Sequence, residues 1–373
     1  MKALQISTPF LPVKKDLAYG GTERIVYLLD RGLTERGIDS YVAGPATSAT
    51  SGTLLPTLSH EMGITGVLDK GEGLAFGDSY SLLWHVHKSL GYASNEAVDV
   101  VHVHDDYLLP FMGLIKRPSL LTLHSDCEGG FWDPRTFPSV AQLGARMVAI
   151  SESQRRTYER AGYHVGHVVY NGIDPDSFEF SGTKADYLLI LGGIAPHKGQ
   201  HVALDIGERA GLDVIIAGNV GNKDYFDERV RPHLTHDISP EVDKFHAYRS
   251  LVPSQNARIV YAGPVNDAQK RPLYAHAKAF LMPIAWEEPF GLVMVEAMAS
   301  GTPVIAYNRG SVPEVIDDGR TGYIVETAGE MGKAVQYIHR IRPSACRERV
   351  VRHFSAAAMT DAYLDLYRQL ASS

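Results

Sequence analysis

Apolar and polar positions alternate along this chain in two rhythms. Short runs that stay apolar from end to end alternate with longer stretches whose apolar residues recur at helical spacing. In the first half the runs are KALQIST (2–8), SYVAGP (40–45), VDVVHVH (98–104), SLLTLHS (119–125), RMVAIS (146–151) and GHVVYNG (166–172). The second half repeats the style with DYLLILGG (186–193), DVIIAGN (213–219), RIVYAGP (258–264), AFLMPIA (279–285), TPVIAYN (302–308) and TGYIVE (321–326). A strand with one wet face alternates apolar and polar residues. These do not, so they read as strands buried on both faces, the mark of parallel sheets covered by helices. Between them lie helices: after Gly20-Gly21, residues Ile25, Leu28, Leu29 and Leu33 fall on one face. Thr22 is the expected N-cap of that helix and Gly37 its stop. The chain ends in AAAMTDAYLDLYRQL, an amphipathic helix. Two sets of alternating strands and helices predict two doubly wound α/β domains.

The stretch NGIDPDSFEFSGTKAD, Asn171 to Asp186, is rich in turn-forming Asn, Gly, Asp, Pro and Ser and separates the two sets. The expected domains are residues 1–176 and 177–355. Within that stretch Asp174-Pro175-Asp176 spells a DxD string, read here as turn chemistry and not as a metal site.

Length and charge narrow the classes. With 373 residues, 45% of them hydrophobic, the chain exceeds one ordinary core. A net charge of -7 and a pI near 6.1 argue against nucleic acid as a partner, and mildly against a strongly anionic lipid acceptor. Cys127 and Cys346 are the only cysteines and have no metal-ligand spacing, which fits a reducing compartment. The opening MKALQISTPFLPV lacks the apolar core of a signal peptide, and no apolar run reaches the ~20 residues of a membrane span. A cytoplasmic location is the expectation.

The most informative chemistry lies in WEEPFGLVMVEAMASGTPVIA, Trp286 to Ala306. Pro289 suits a turn and Gly301 a helix stop, so a helix is expected from about Phe290 to Ser300. Its opening amides, around Phe290, Gly291 and Leu292, would form an anion site that Gly291 lets a ligand approach. Glu296 would stand ~7.5 Å along the axis at 1.5 Å per residue. A diphosphate at the helix start then brings its ribose diol to Glu296, and leaves Glu288 to face a sugar on the far phosphate. Taken without context, both glutamates also fit a solvated helix face and a surface loop, although Val295, Ala297 and Met298 make an exposed face uncomfortable for Glu296.

The pattern E-P-F-G-x-x-x-x-E followed by A-x-A/S-G-x-P-V-I-A resembles the signature of retaining glycosyltransferases of family 4, with the GT-B fold. The resemblance extends to Gly310-Ser311-Val312-Pro313-Glu314-Val315-Ile316, Asp318-Gly319-x-Thr321-Gly322, Asn171-Gly172-Ile173-Asp174 and Ala149-Ile150-Ser151-Glu152-Ser153. It spans essentially the whole chain and is most specific in the second half. It implies two Rossmann-like domains facing across a cleft, with the final helix, from about Ala356 to Ser373, returning to the first. The first domain would serve the acceptor and the second the nucleotide sugar. It further implies that Glu288 faces the donor sugar and Glu296 holds the ribose.

By the same resemblance Lys198, in LGGIAPHKGQ, contacts the donor diphosphate, where a cation at a helix start is otherwise unfavourable. The family arginine five residues earlier is here Gly193, which leaves Lys270, Arg271 and Arg309 as candidate substitutes. Gly20-Gly21 resembles the family's glycine-rich loop; the plain alternative is a turn, and the gap from Thr8 is too long for a dinucleotide fingerprint. His124, at a strand end, resembles the histidine against the donor sugar; the alternative is a structural histidine. HVHDD places His102 and His104 on one strand face without a third ligand, so His104 and Asp105 are read as acceptor-side residues and no metal is expected.

The resulting expectation is a retaining, metal-independent hexosyltransferase. It uses a nucleotide-diphosphate sugar, for which UDP-glucose is adopted, and a hydroxyl acceptor that is a sugar, a lipid-linked sugar or a small molecule. The catalytic set is Glu288, His124 and Lys198; the donor set adds Glu296, Phe290, Gly291, Leu292 and Gly193. No cofactor is expected beyond the co-substrate. A nucleotide-sugar epimerase or a sugar phosphorylase fits the same architecture, and a nicotinamide oxidoreductase lacks its glycine fingerprint.

Overall fold

The computed structural model describes residues 1–17, 20–63, 76–95, 97–125, 127, 146–252 and 256–372. Its contacts divide the chain into two compact units, Met1–Gly172 with Ala356–Ser373, and Ile173–Ser355.

The first unit is built on seven parallel strands in the order β3-β2-β1-β4-β5-β6-β7. They are β1 Lys2–Ile6, β2 Asp39–Pro45, β3 Thr53–Leu58, β4 Val100–Val103, β5 Ser119–Thr122, β6 Met147–Ala149 and β7 His167–Val168. All four residues of β4 and of β5 are buried, as continuous apolar runs require when helices cover both faces. The strand β3 carries Pro56 and buries little of itself. It pairs only with β2, and an edge strand tolerates a proline that a central strand excludes. That composition concealed it from the pattern of apolar runs.

The first helix runs Gly21–Glu35. Its N-cap is Gly20, at φ 113°, and not the expected Thr22. It ends as anticipated at Gly37, in the left-handed region at φ 74°, where the amides of Gly37 and Ile38 close on Thr34 and Leu33.

The last helix, Ala356–Ala371, belongs to this unit. It packs on the first helix so closely that a Cβ at Gly32 would fall 2.3 Å from Thr360 Oγ1. Its Tyr367 hydroxyl lies 2.6 Å from His102 Nδ1, and its Tyr363 hydroxyl 2.9 Å from Thr122 Oγ1.

The second unit repeats the plan in the order β10-β11-β9-β8-β12-β13-β14. Here β8 is Tyr187–Leu191, β9 Asp213–Ala217, β10 His236–Asp237, β11 Ile259–Gly263, β12 Ala279–Met282, β13 Val304–Tyr307 and β14 Gly322–Val325. The two-residue β10 at the sheet edge was too short to register as an apolar run. In each sheet the order reverses direction beside its central strand, between β1 and β4 and between β8 and β12. Ligands of doubly wound sheets settle outside the carboxyl ends of the strands at such a reversal.

Candidate functional site

Lys198 and Glu288 come from the two loops that flank the reversal in the second unit. The loop after β8 closes in a 3₁₀ turn, Pro196–Lys198, and turns through Gly199 at φ 73° into the helix Gln200–Ala210. Only glycine fits there, because a Cβ would lie 2.2 Å from the Pro283 carbonyl oxygen. The Ala285 amide then donates to the His197 carbonyl at 2.8 Å and ties the loop after β8 to the loop after β12.

This juncture places Lys198 Nζ 3.4 Å from Glu288 Oε2, with the two side chains 28% and 14% exposed. The same ammonium stands 4.5 Å from the centre of the Trp286 ring. Glu288 is held from behind: its carbonyl accepts from the Ser311 amide at 2.9 Å, and the Ser311 hydroxyl donates to the Phe290 carbonyl at 2.8 Å. These bonds give the Gly310-Ser311 segment its place in the site.

The helix after Glu288 runs Leu292–Ala299, two residues shorter at its start than expected. Phe290 lies outside it and is a buried core ring, and Gly291, at φ 77°, is the N-cap. The amides that open the helix therefore begin at Leu292. A Cβ at Gly291 would meet Met294 Cε at 2.5 Å and Glu288 Cγ at 3.3 Å, so glycine brings the glutamate against the helix start.

Glu296 is buried in the same helix, 5% exposed. One oxygen accepts from Lys270 Nζ at 2.6 Å and the other from the Tyr274 hydroxyl at 3.1 Å. Lys270 also meets Asp267 at 3.0 Å, so its charge is already opposed by two carboxylates. Arg309 stands at the surface near Asn308 and Glu326. The Nε of Arg271 is buried without a hydrogen-bond partner among the described residues. At Gly193 a Cβ would touch nothing closer than Asn219 Oδ1 at 3.9 Å, so the arginine is absent without a steric reason.

In the first unit Gly20, Gly21, His104 and Asp105 lie beyond the ends of β1 and β4, at that sheet's own reversal. A Cβ at Gly20 would sit 2.8 Å from Glu23 Oε2. Gly20 thus makes room for a buried carboxyl that accepts from the Thr8 hydroxyl at 2.5 Å. Burial raises the Glu23 pKa, with the Asp105 charge adding to it. Glu23 stands in the first turn of the helix that Gly20 caps.

His104 Nδ1 lies 3.0 Å from His124 Nε2, and the rings stack. Burial pulls the His124 pKa down to about 4 and holds His104 and His102 well below the usual range, so all three are neutral at pH 7. Asp105 accepts from the Tyr107 amide at 3.0 Å and faces His85 Nε2 at 3.5 Å, while His85 Nδ1 lies 2.8 Å from Thr57 Oγ1. His85 gave no signal in the sequence; its helix, Phe76–Ala93, and β3 meet only in the fold. Asp174 caps its own turn by accepting from the Asp176 amide at 3.2 Å, and Asp176 pairs with Arg347.

Two seven-stranded parallel sheets with helices on their faces, each in its own unit, are the GT-B architecture of glycosyltransferases. The chain belongs to glycosyltransferase family 4: the model "Glycosyltransferase Family 4" matches residues 19–177, and "Glycosyl transferases group 1" matches residues 176–345. The chain is 35% identical to an uncharacterized 41.2 kDa protein in the cps region of Klebsiella pneumoniae, over 34% of this chain and 36% of that protein. It is 26% identical to the alpha-maltose-1-phosphate synthase of Mycolicibacterium smegmatis, over 74% of this chain and 80% of that one. Among solved structures, Anabaena Alr3699/HepE in complex with UDP and glucose superimposes with a TM-score of 0.69 at 17% identity, covering 99% of this chain and 100% of that one. Among the described residues no helix is long and apolar enough to cross a membrane.

Proposed function

We propose that this glycosyltransferase moves a hexose, with retention at the anomeric carbon, from a nucleotide-diphosphate sugar to a hydroxyl acceptor. The observation that carries the reading is the meeting of Lys198 and Glu288 at the sheet reversal, beside the glycine-capped start of the helix that bears Glu296. Lys198 meets the diphosphate, Glu288 the sugar, and Glu296 the ribose. Leu292 and its neighbours present the helix start to the phosphates. UDP-glucose is the donor we adopt, in keeping with the UDP and glucose of the HepE complex.

The bond from the anomeric carbon to the diphosphate oxygen breaks with both electrons going to the leaving group. Lys198 stabilises the charge that develops there. The acceptor oxygen bonds to the same face of the sugar, and its proton passes to a diphosphate oxygen. Gly20, Gly21, His104 and Asp105 serve the acceptor. We read the protein as cytoplasmic and in need of no cofactor beyond the co-substrate.

Incubation with UDP-, GDP- and ADP-glucose and a mixed panel of sugar acceptors, followed by mass spectrometry and proton NMR, tests the proposal. A hexose-sized mass gain with the donor's anomeric configuration supports it. An inverted product overturns retention. An isomerised donor without transfer overturns the transferase reading in favour of an epimerase.

A further inference from the structure

Lys198 is a long side chain near the surface, and a free lysine gives up considerable rotamer freedom when held in one place. Two contacts hold this one. At 3.4 Å the bond to Glu288 is longer than the 2.7–2.9 Å usual for charge-assisted pairs, so it constrains the ammonium weakly. The Trp286 ring, 4.5 Å from the ammonium, is within cation–π range. An aromatic face attracts a cation without occupying any of its three N–H groups, which stay available to phosphate oxygens.

The indole is itself anchored. His197 meets it edge to face at 5.9 Å and 76°, and His197 is bound through its carbonyl to the Ala285 amide. The indole N–H, in contrast, is buried with no hydrogen-bond partner among the described residues. An unmade bond at a buried donor is unfavourable, and a phenylalanine here would avoid it. What the ring contributes is its face.

We propose that Trp286 is the positioning residue for the phosphate-binding lysine. It holds the Lys198 ammonium over the indole face, and a nucleoside diphosphate binds the N–H groups that the ring leaves open, displacing Glu288 while the ammonium stays on the indole. The proposal rests on the reading of Lys198 as the diphosphate ligand. Trp286 acts through Lys198 alone, so its contribution vanishes when Lys198 is removed.

The test is calorimetry with UDP, GDP and ADP on the unmodified protein, Trp286→Phe, Trp286→Leu, Lys198→Met and the double variant Trp286→Leu/Lys198→Met. Indole fluorescence is recorded in parallel, and melting midpoints confirm that each variant is folded. The nucleotide that binds best should change the fluorescence of the unmodified protein. Trp286→Phe should lose that change yet bind within about threefold, because the face remains. Trp286→Leu should weaken binding about tenfold, and should cost nothing further once Lys198→Met is in place. Unchanged affinity in Trp286→Leu, or an equal loss in both backgrounds, overturns the proposal while leaving the diphosphate site standing. Failure of all three nucleotides to bind the unmodified protein overturns the diphosphate site and this proposal together.

Discussion

Lys270 Nζ lies 2.6 Å from Glu296 Oε1, and both side chains are only 6% exposed. A buried pair of this kind depends on both members, because the survivor of a deletion keeps a charge that it cannot solvate. Lys270→Met leaves Glu296 and Asp267 without their shared cation. It should lower the unfolding free energy by about 3–5 kcal/mol, the range for breaking a buried ion pair, read from urea denaturation at pH 7. A loss below 1 kcal/mol would mean that water or the Tyr274 hydroxyl carries the charge instead.

The same pair decides how the ribose role of Glu296 is probed. Glu296→Ala would strand Lys270 and confuse binding with folding. Glu296→Gln keeps the volume and one acceptor. If Glu296 accepts from the ribose diol, the unmodified protein should prefer UDP over its 2′,3′-dideoxy analogue by about 1.5–3 kcal/mol, as for hydrogen bonds to a charged group. Glu296→Gln should shrink that preference. Equal affinities of the unmodified protein for both ligands would remove Glu296 from the ribose.

Much of this arrangement was legible in the sequence because it depends on short segments. The doubly wound plan followed from strands such as β4 and β5, buried on both faces. The glycines at 37 and 301, read as helix stops, adopt the left-handed backbone that few other residues take, whereas the left-handed Gly291 had been expected inside the helix. What escaped depends on distant partners. Nothing local marks Lys270 as the companion of Glu296, 26 positions away, or His85 as the neighbour of Asp105. The two missed strands, β3 and β10, lie at sheet edges, where half the ladder is unpaired and the apolar run shortens.

Acid should act on the first unit through groups of opposite sign. The folded-state pKa of His124 lies near 4, below the ordinary 6.5. Its contribution is present above pH 6.5 and is lost as pH falls through 4; His102 and His104 act in the same direction. The Asp106 carboxyl runs the other way, raised from 3.8 to about 6 by burial and by the Asp105 charge against the Ser125 hydroxyl bond. Its contribution is present below pH 3.8 and is lost as pH rises through 6. Asp106→Asn should therefore raise stability at pH 8 and add nothing at pH 4. Two pKa units correspond to about 3 kcal/mol; since Asp106 is only half-buried, about 1–2 kcal/mol is expected after solvent screening. Thermal melts of both proteins at the two pH values check it, and an equal shift at both would reject the carboxyl as the cause.

Lys198 carries the next prediction. With Lys270 bound to carboxylates and Arg309 at the surface, the proposed reading leaves the departing diphosphate to Lys198 and the helix start. Amides supply direction but only partial charge. Lys198→Ala should raise the transfer barrier by about 3–4 kcal/mol, similar to removing one preorganised donor from a developing anion. Its effect on nucleoside diphosphate affinity should be smaller than this, but no less than the roughly tenfold loss expected of Trp286→Leu. Transfer within a few-fold of the unmodified rate would shift the role to Arg271, whose Nε is buried without a hydrogen-bond partner among the described residues.

Gly193 offers the converse experiment, a gain in place of a loss. The Gly193 backbone does not adopt positive φ, and a Cβ there meets only Asn219 Oδ1, at 3.9 Å. The Cβ of an arginine therefore enters without strain or collision, and the loop bond from Gln200 Nε2 to the Gly193 carbonyl, at 3.1 Å, uses only main-chain atoms of that residue. Arginine also has the planar fork that suits phosphate oxygens, which a lysine lacks. Gly193→Arg should bind the nucleoside diphosphate more tightly by about 1–2 kcal/mol, within the range for a charge-assisted hydrogen bond, and the gain should fade as salt is raised because the site is partly exposed. In the Lys198→Ala background it should restore part of the lost rate. Calorimetry at two salt concentrations and initial rates of the single and double variants decide the matter. If the arginine leaves affinity unchanged while the protein stays folded, the diphosphate does not lie beside the loop after β8, and the assignment of Lys198 falls with it.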